Sequence, residues 1–290
     1  MKPAVFKHLA PNNIEEVLSL LEDHSPDARV LAGGQSLVPM MNFRLSRPSI
    51  LIDLNRVHEL AYIREDGDEL AIGAMTRERT IENDTLVRKH APLLYEATGH
   101  IAHLPIRSRG TIGGSLSNAD PAAEYPAVAV TLACDMVVRS VRKERRIKAS
   151  DFFLGLLTPN IEPDELLVEI RVPKLPPRSG SSFIEIARRR GDYALAGIAA
   201  QVTLSSGKNV SEIRLGGCGI GPVPMRLSAA EEVILREGLS EATASRAAEL
   251  AAEEVDPSSD LHATTGYRRH LTKVLTSRAL MKAHQRAIES

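Results

Sequence analysis

Apolar and polar positions in the first hundred residues follow helical spacing in some segments and strand-like runs in others. Residues 14–21 carry apolar side chains at helical spacing behind a possible cap at Asn12 or Asn13, which predicts an amphipathic helix ending near Pro26. Short apolar runs bounded by glycine, aspartate or proline predict strands. Strands are expected at 28–31, 49–54 and 69–74, and helices at about 76–83 and 92–103. This part of the chain therefore mixes strands and helices in two consecutive units.

The remainder of the chain first continues this mixture and then groups its strands ahead of its helices. A helix is predicted at 122–133, and strands are predicted at 136–139 and 165–172. The stretch 173–182, rich in proline, glycine and serine, is typical of a linker, and we place a domain boundary there. Beyond it, strands are expected at 182–187, 196–204 and 210–216, and helices at about 228–236, 240–254 and 266–287. Strands and helices grouped in blocks favour α+β packing.

The composition of the 290-residue chain is that of a globular protein of roughly two domains. Its 36 basic residues balance 37 acidic ones and aromatic residues make up only 3%, so nucleic acid is not an expected partner. The two cysteines, Cys134 and Cys218, form no CxxC pair and cannot supply four thiolates to an iron–sulfur cluster. His100 and His103 are more typical of a helix face than of a metal site, so no metal is expected.

Two features of the sequence bear on its location. No run approaches the roughly 20 apolar residues that a membrane span requires, so no span is predicted. Residues 1–6 lack the apolar core of a secretory signal and lead directly into a strand-like stretch. We therefore expect a cytoplasmic protein.

A pair of glycines follows the strand predicted at 28–31. Glycines permit unusual dihedral angles and close approach of the main chain, which N–H groups need in order to converge on a diphosphate. The amide and hydroxyl side chains that follow could bind phosphate oxygens above an apolar floor. Taken alone, one such pair is more often a tight turn. The candidate residues are Ala32, Gly33, Gly34, Gln35, Ser36 and Leu37.

A second segment repeats this combination of small residues and hydroxyl groups ahead of a polar stretch at 118–124. Its residues are Thr111, Ile112, Gly113, Gly114 and Ser115. Two segments of this kind make a shared diphosphate plausible. Neither has the GxGxxG spacing of dinucleotide-binding folds or the GxxxxGK[ST] spacing of nucleotide hydrolases, so the ligand is held in some other way.

Four segments together resemble the FAD-binding medium subunits of molybdenum hydroxylases, such as carbon monoxide dehydrogenase and quinoline 2-oxidoreductase, and the flavin domain of xanthine dehydrogenase. The segments are Phe6 and Pro11 of the opening, AGGQS at 32–36 with Asp53-Leu54, RGTIGGSLSNADPAAEYP at 109–126, and RRRGDYALAG at 188–197. The likeness covers nearly the whole chain. Each motif is modest by itself, and their combination is specific.

The resemblance implies an α+β fold with a bilobed FAD-binding region of the vanillyl-alcohol-oxidase-like (PCMH) type. The implied lobes are about 1–56 and 57–177, and a C-terminal domain of a three-stranded sheet and helices follows at 178–290. The cofactor is expected in the cleft between lobes, with the two glycine segments around its diphosphate and ribityl chain. Without the resemblance, Tyr193 would be taken for an ordinary half-buried strand residue. Matched positions add Ile101, Asp120, Glu124, Leu167 and Tyr193 as flavin contacts.

The chain departs from some relatives at two of the matched positions. Gln35 stands where those relatives have histidine, and an amide cannot form the histidyl bond of covalent flavoproteins with a related cradle. Non-covalent FAD is therefore expected. Glu185 stands where they have lysine, which undermines any argument about the flavin potential that needs a positive charge there.

The resemblance further implies that this chain is one subunit of a redox complex. Substrate would be oxidised at a molybdenum cofactor in a large subunit, and electrons would pass through the [2Fe-2S] clusters of a small subunit to FAD. From FAD they would reach an external acceptor, in a dimer of heterotrimers, with no catalytic acid, base or nucleophile required of this chain. Two rivals stay open: a self-sufficient FAD-dependent oxidase or reductase with a related cradle, and a non-enzymatic interaction protein whose glycine segments are only turns.

Overall fold

The first lobe is a three-stranded parallel sheet with strand order β1-β3-β2, made of β1 (Lys7–Leu9), β2 (Ala28–Leu31) and β3 (Ile50–Asp53). The computed structural model describes residues 2–290. Met1, the first residue of the predicted first domain and of the segment at 1–6, lies outside the described residues. Helix α1 (Ile14–His24) connects β1 to β2, and α2 (Leu37–Asn42) lies between β2 and β3. Asn13 caps α1, because its side chain accepts a hydrogen bond from the Glu16 N–H at 2.9 Å. The predicted first helix is confirmed.

The second lobe is a five-stranded antiparallel sheet with strand order β4-β5-β10-β6-β7. Its strands are β4 (Ile63–Asp66), β5 (Glu69–Gly73), β6 (Asp135–Arg139), β7 (Glu144–Lys148) and β10 (Leu166–Pro173), and a small hairpin of β8 (Phe153–Gly155) and β9 (Thr158–Pro159) stands apart. Its helices are α3 (Glu78–Ile81), α4 (Thr85–His90), α5 (Pro92–Thr98), α6 (Leu104–Arg107), α7 (Ile112–Asn118), α8 (Glu124–Leu132) and α9 (Ala149–Phe152). The helices predicted at 76–83 and 92–103 are shorter than the pattern indicated.

Strand β10 is buried on both faces and joins the two lobes. Leu166 and Val168 pack into the core of the first lobe, whereas Leu167, Ile170 and Val172 pack into the core of the second. The pairing register with β6 shifts between Leu167 and Glu169, which is the signature of a β-bulge. Side chains alternate between the two faces of a strand, so a one-residue shift reverses which face the even-numbered residues occupy. Leu166 and Val168 therefore face the first lobe, whereas Ile170 and Val172 face the second.

The C-terminal domain is an antiparallel sheet covered by helices on one side. Three long strands, β11 (Ser179–Ala187), β12 (Ala194–Leu204) and β13 (Val210–Cys218), confirm the predicted three-stranded sheet, and the two-residue β14 (Met225–Arg226) extends its edge. The helices are α10 (Ser228–Glu237), α11 (Glu241–Glu254) and α12 (Thr265–Glu289), close to the predicted bounds. Helix α12 packs along β11 and β12, and α8 of the second lobe packs on β12 and β13. No helix within residues 2–290 combines the length and apolar character needed to cross a bilayer.

The interpretation of 173–182 as a linker is wrong over most of its length. β10 continues to Pro173 and β11 begins at Ser179, which leaves only 174–178 as the connection. The small residues that suggested flexibility are buried under α12 instead. A Cβ added to Gly180 would lie 2.1 Å from the Ala283 carbonyl oxygen, so glycine here serves close packing of a strand against a helix.

An ion cluster joins α5 of the second lobe to α12 of the C-terminal domain. The Glu96 carboxylate accepts hydrogen bonds from Lys282 Nζ at 2.8 Å and Arg286 Nη1 at 2.7 Å, and also from the Phe183 N–H at 3.2 Å. Burial raises the pKa of Glu96, but the two cations outweigh it and the net pKa is lowered.

We expect Glu96→Gln to lower the free energy of unfolding by about 1.5–3 kcal/mol at neutral pH, the range for hydrogen bonds to charged groups. Because the folded-state pKa is depressed, the contribution of Glu96 is complete above its unfolded pKa and disappears as pH falls through the folded value. Urea unfolding at several pH values measures this. Glu249→Gln, which breaks an exposed pair with Lys273, is the control and should change stability by less than about 1 kcal/mol. An equal loss in both variants at every pH would contradict the assignment.

Candidate cofactor-binding cleft

The first glycine segment forms the turn between β2 and α2. Within the described residues, the backbone N–H groups of 33–37 donate to no protein acceptor, and the first N–H that does is that of Val38, to the Gly34 carbonyl at 3.1 Å. Gly34 has φ +73°, a left-handed conformation that favours glycine. The Gln35 side chain donates to the Gly33 carbonyl at 2.8 Å, which holds the turn closed. The turn therefore contains five consecutive N–H groups without an acceptor in the described chain.

The second glycine segment differs from the predicted loop, because most of it is the first turn of α7. Thr111 is the N-cap, and its hydroxyl oxygen accepts from the Gly114 N–H at 3.1 Å. Three further N–H groups donate to backbone carbonyl oxygens: that of Ile112 to Thr76 at 3.1 Å, that of Gly113 to Ala74 at 2.9 Å, and that of Ser115 to Thr111 at 3.0 Å. The N–H groups of 112–115 are thus already hydrogen-bonded within the protein. Only the first segment resembles an open phosphate-binding turn.

At the glycines of both segments, a side chain would collide with neighbouring atoms of the protein itself. A Cβ at Gly33 would lie 2.3 Å from the Arg109 carbonyl oxygen, and a Cβ at Gly113 would lie 2.5 Å from the Ala74 Cβ. A Cβ at Gly114 would meet Thr111 Oγ1 at 2.8 Å. Contacts this short are sterically prohibited. The absence of side chains therefore lets the turn of the first lobe lie directly against the segment at 109–110 of the second lobe.

Arg77 and Asn55, which were not predicted as site residues, hold the two segments together. The Arg77 guanidinium donates to the Arg109 carbonyl and, at 2.6 Å, to Asn55 Oδ1. Asn55 Nδ2 in turn donates to the Ala32 carbonyl at 3.1 Å. This chain of hydrogen bonds runs from one lobe to the other behind the glycines. No sequence signal identifies it, because a lone arginine and a lone asparagine in distant segments belong to no recognisable pattern.

Two of the matched acidic residues lie at the start of α8. The Asp120 carboxylate accepts from the Ala122 N–H at 2.9 Å, and burial raises the Asp120 pKa. Glu124 is only 5% exposed; burial, followed by the negative charge of Glu185, raises its pKa to about 8. Glu124 is therefore mainly protonated at neutral pH and can donate a hydrogen bond as well as accept one.

Glu78, also missed from the sequence, is a further buried acid beside the second segment. Burial raises its pKa to about 7, against the opposing effect of Arg107 and Arg77. Its Oε2 has no hydrogen-bond partner in the described chain. A Cβ at Gly110 would lie 2.5 Å from this carboxyl, so the glycine ahead of Thr111 leaves space for it. A single glutamate in a short helix carries no pattern that would have revealed this.

Tyr193 brings the C-terminal domain to the first glycine turn. It lies between β11 and β12 with 54% of its surface exposed. Burial of the phenol and the charge of Asp120 raise the Tyr193 pKa, while a hydrogen bond with the Ser36 side chain lowers it. The Tyr193 phenol thus lies beside the free N–H turn, next to Ser36 and Asp120.

Three matched residues present little side-chain surface to a ligand. Ile101, Ile112 and Leu167 are buried in the core of the second lobe, among residues of α5, α7 and α8. Any contact they make with a cofactor must use mainly the main chain. Leu37, in contrast, is half-buried at the start of α2 beside the free N–H groups.

The chemistry of the cleft fits a flavin dinucleotide. A row of free N–H groups suits an anionic diphosphate, and an aromatic ring with protonated or amide donors suits a polar heteroaromatic ring system. Gln35 keeps its amide in the turn and offers no imidazole for a covalent bond. No cluster of three or more histidine, cysteine, aspartate or glutamate residues suited to a metal ion occurs among residues 2–290.

Comparison with known proteins gives concordant matches over the whole chain. Residues 4–175 match the FAD binding domain in molybdopterin dehydrogenase, and residues 181–283 match the CO dehydrogenase flavoprotein C-terminal domain. The 6-hydroxypseudooxynicotine dehydrogenase complex subunit alpha of Paenarthrobacter nicotinovorans is 41% identical, covering 99% of this chain and 97% of its own length. The carbon monoxide dehydrogenase medium chain of Hydrogenophaga pseudoflava is 35% identical, with 99% of each chain covered.

Solved structures agree with the sequence relatives. A carbon monoxide dehydrogenase structure from Hydrogenophaga pseudoflava, lacking the Mo-pyranopterin moiety of its cofactor, superposes with a TM-score of 0.96 at 36% identity, covering 99% of both chains. Quinoline 2-oxidoreductase from Pseudomonas putida has a TM-score of 0.94 at 38% identity, covering 99% of this chain and 100% of that one. The chain therefore belongs to the family of FAD-binding medium subunits of molybdenum hydroxylases, oxidoreductases that include carbon monoxide dehydrogenase.

Proposed function

We propose that this chain carries non-covalent FAD as the electron-transfer subunit of a heterotrimeric molybdenum hydroxylase. The observation that carries the proposal is the match over nearly the full length of both this chain and medium chains of such enzymes. Bound FAD supplies one- and two-electron redox chemistry. The chain itself binds the cofactor, orients it and leaves one side of the cleft accessible.

In this proposal the free N–H groups of 33–37 bind the diphosphate. The Thr111–Ser115 segment acts mainly as the support against which this turn packs, since the amides of 112–115 already have protein acceptors. Asp120 and Glu124 provide polar contacts at the start of α8, and Tyr193 closes the cleft from the C-terminal domain. Leu37 provides an apolar contact beside the free N–H groups, and Ile101, Ile112 and Leu167 contribute mainly through their main chain. We likewise propose domains at 1–177 and 178–290, with lobes at about 1–56 and 57–177.

The proposed partners follow from the same family. A small subunit with [2Fe-2S] clusters would deliver electrons, and a large subunit with the molybdenum cofactor would oxidise the substrate, in a dimer of heterotrimers. The substrate is then chosen by a pocket on another polypeptide. Tyr193, half-exposed at the edge of the cleft, is suited to border the route of an external electron acceptor.

Purification of the affinity-tagged chain from cells that express its neighbouring subunits tests this proposal. We expect two further polypeptides in equal amounts, with molybdenum, iron and sulfide in the complex and FAD equimolar with this chain. The chain expressed alone should retain FAD but oxidise no substrate. A chain that contains FAD and turns over an alcohol or NAD(P)H without partners would identify a self-sufficient oxidase or reductase. A chain that neither contains nor binds FAD would refute the flavoprotein assignment of the cleft.

A further inference from the structure

Four exposed apolar residues, which we call the α2 strip, lie along α2 and just after it. Val38 and Pro39 lie at the start of the strip, and Phe43 and Leu45 at its end. Pro39 and Phe43 are four residues apart and therefore share one face of the helix. The exposed fraction reaches 65% for Phe43 and 80% for Leu45. Single apolar residues on a surface are common, whereas a group of them indicates a surface that another molecule covers.

The end of the α2 strip is held in one conformation by the helix. The N–H groups of Phe43, Arg44 and Leu45 donate to carbonyl oxygens of α2 at distances of 2.9–3.0 Å. Arg44 has φ +60°, in the left-handed region that residues other than glycine rarely adopt. Strained residues of this kind persist where the surrounding structure enforces them, often at functional sites. An ordered surface also loses less conformational entropy when a partner binds to it.

Positive charge without a carboxylate partner borders the α2 strip. The Arg44 guanidinium lies 3.5 Å from the Lys2 carbonyl oxygen, and the Arg47 guanidinium donates to the Arg44 carbonyl at 2.9 Å. The chain is nearly neutral as a whole, but it has no acidic residue between Asp27 and Asp53. Aromatic and arginine side chains are enriched in protein interfaces, and opposite charges on the two partners favour their encounter. The α2 strip is therefore complementary to a protein surface whose apolar centre is bordered by carboxylates.

The α2 strip begins where the proposed diphosphate site ends. The free N–H groups belong to 33–37, and Val38 follows directly. At a rise of about 1.5 Å per residue, Phe43 lies about 9 Å along the helix from Leu37. Electron transfer slows steeply with distance, so an electron donor has to bind close to the flavin. A protein that covers the strip would be in the position that an electron donor requires.

We propose that the α2 strip binds the small [2Fe-2S] subunit, through an apolar pocket bordered by acidic side chains on that subunit. This inference rests on the proposed electron-carrying function. The Phe43 ring fills the pocket, and Arg44 and Arg47 pair with the carboxylates. Neither Phe43 nor Leu45 belongs to the proposed cofactor site. Loss of this contact should therefore separate the subunits without releasing FAD.

The rate constants with which the FAD-loaded chain binds its two partner subunits test the proposal. Phe43→Ser should raise the dissociation rate constant by at least about tenfold, since truncation of an interface residue acts mainly on dissociation. Arg44→Glu should instead lower the association rate constant and weaken its dependence on salt, because such charges steer the encounter. The FAD content should stay unchanged in both variants. Ile288→Ser and Arg278→Glu, at exposed positions on α12, are the matched controls and should bind as wild type does.

Crosslinking from position 43 identifies the protein that covers the α2 strip. Cys134 and Cys218 are buried, so a benzophenone maleimide would react selectively with the new thiol of Phe43→Cys. After assembly with the partner subunits and irradiation, we expect a crosslink to the small subunit, whereas Ile288→Cys should give none to it. A crosslink from position 43 to the large subunit, to a second copy of this chain or to no protein would overturn the proposal.

The outcomes also separate failure of this inference from failure of the proposed function. If the wild-type chain binds FAD but no partner subunit, the proposed function fails. If wild type assembles and Phe43→Ser assembles with unchanged rate constants, the proposed function stands and the docking surface is wrong. Leu45→Ser provides a second variant with the same expected result, should Phe43→Ser not fold.

Discussion

Gly33→Ala is expected to weaken FAD binding by at least about tenfold, or about 1.4 kcal/mol. The added methyl group would lie 2.3 Å from the Arg109 carbonyl oxygen and must push the first glycine turn away from the second lobe. The turn that carries the free N–H groups of 33–37 is then displaced from its position beside 109–110. Overpacking of this kind also lowers the free energy of unfolding by about 1–3 kcal/mol. Flavin content after purification and fluorescence titration of the FAD-free chain with added FAD provide the measurement.

Gly266→Ala is the matched control, because a Cβ at that position in α12 meets no atom within 4 Å. It should retain full FAD content and should be slightly more stable, as alanine is favoured over glycine in a helix by about 0.5–1 kcal/mol. The expected cause of the loss in Gly33→Ala is separation of the two lobes rather than direct collision with phosphate. Full FAD content in Gly33→Ala would refute the close contact between the turn and 109–110 on which the proposed site depends.

Glu78→Gln is expected to stabilise the FAD-free chain at alkaline pH but not at acidic pH. Burial raises the folded-state pKa of Glu78 to about 7 from a usual value of 4.5, so the folded protein binds a proton that the unfolded chain has already released. Stability from this group is complete below the unfolded pKa and is lost as pH rises through the folded value. At 1.36 kcal/mol per pKa unit, wild type loses up to about 3 kcal/mol over this interval. Glutamine does not titrate and avoids the loss.

Urea unfolding at about pH 5 and about pH 9 measures the effect as a difference between variant and wild type that increases with pH. Glu82→Gln is the paired control with the opposite sign. Burial raises the Glu82 pKa, but hydrogen bonds from Arg107 at 2.9 Å and Arg79 at 2.8 Å outweigh this and lower it. Its contribution is present at high pH and disappears in acid, so Glu82→Gln should be destabilising at about pH 9. Parallel stability curves for Glu78→Gln and wild type would show that Glu78 is ionised in the folded chain.

Gly33 and Glu78 affect different properties of one cleft. Gly33 permits close contact between the two lobes. Glu78 makes the stability of the protein depend on pH beside the second glycine segment. Both residues are in contact with 109–110, Gly33 through the Arg109 carbonyl and Glu78 through Gly110. The segment ahead of Thr111 is therefore the structural centre of the proposed cofactor site, although the sequence motif drew attention to the residues after it.

Much of the fold was predictable because its causes are local. Apolar spacing and a capping residue determined α1, and helical periodicity placed α10, α11 and α12 close to their observed bounds. The four segments at 6–11, 32–36 with 53–54, 109–126 and 188–197 were together sufficient to indicate the family. The short helices α6 and α9 and the hairpin of β8 and β9 were not predicted, because four or fewer residues carry too little periodicity to identify an element.

What the sequence determined by itself was the class of fold, the candidate turn at 32–37 and the identity of the cofactor through family likeness. The tertiary structure decided which N–H groups are free, because only folding brings Ala74 and Thr76 to accept from the amides of Ile112 and Gly113. It also decided that Gly180 packs a strand against α12, and that the buried Glu185 carboxylate lies against His100. Periodicity reports burial along one element, whereas hydrogen-bond partners and pKa values depend on groups from distant segments that meet only in the folded chain.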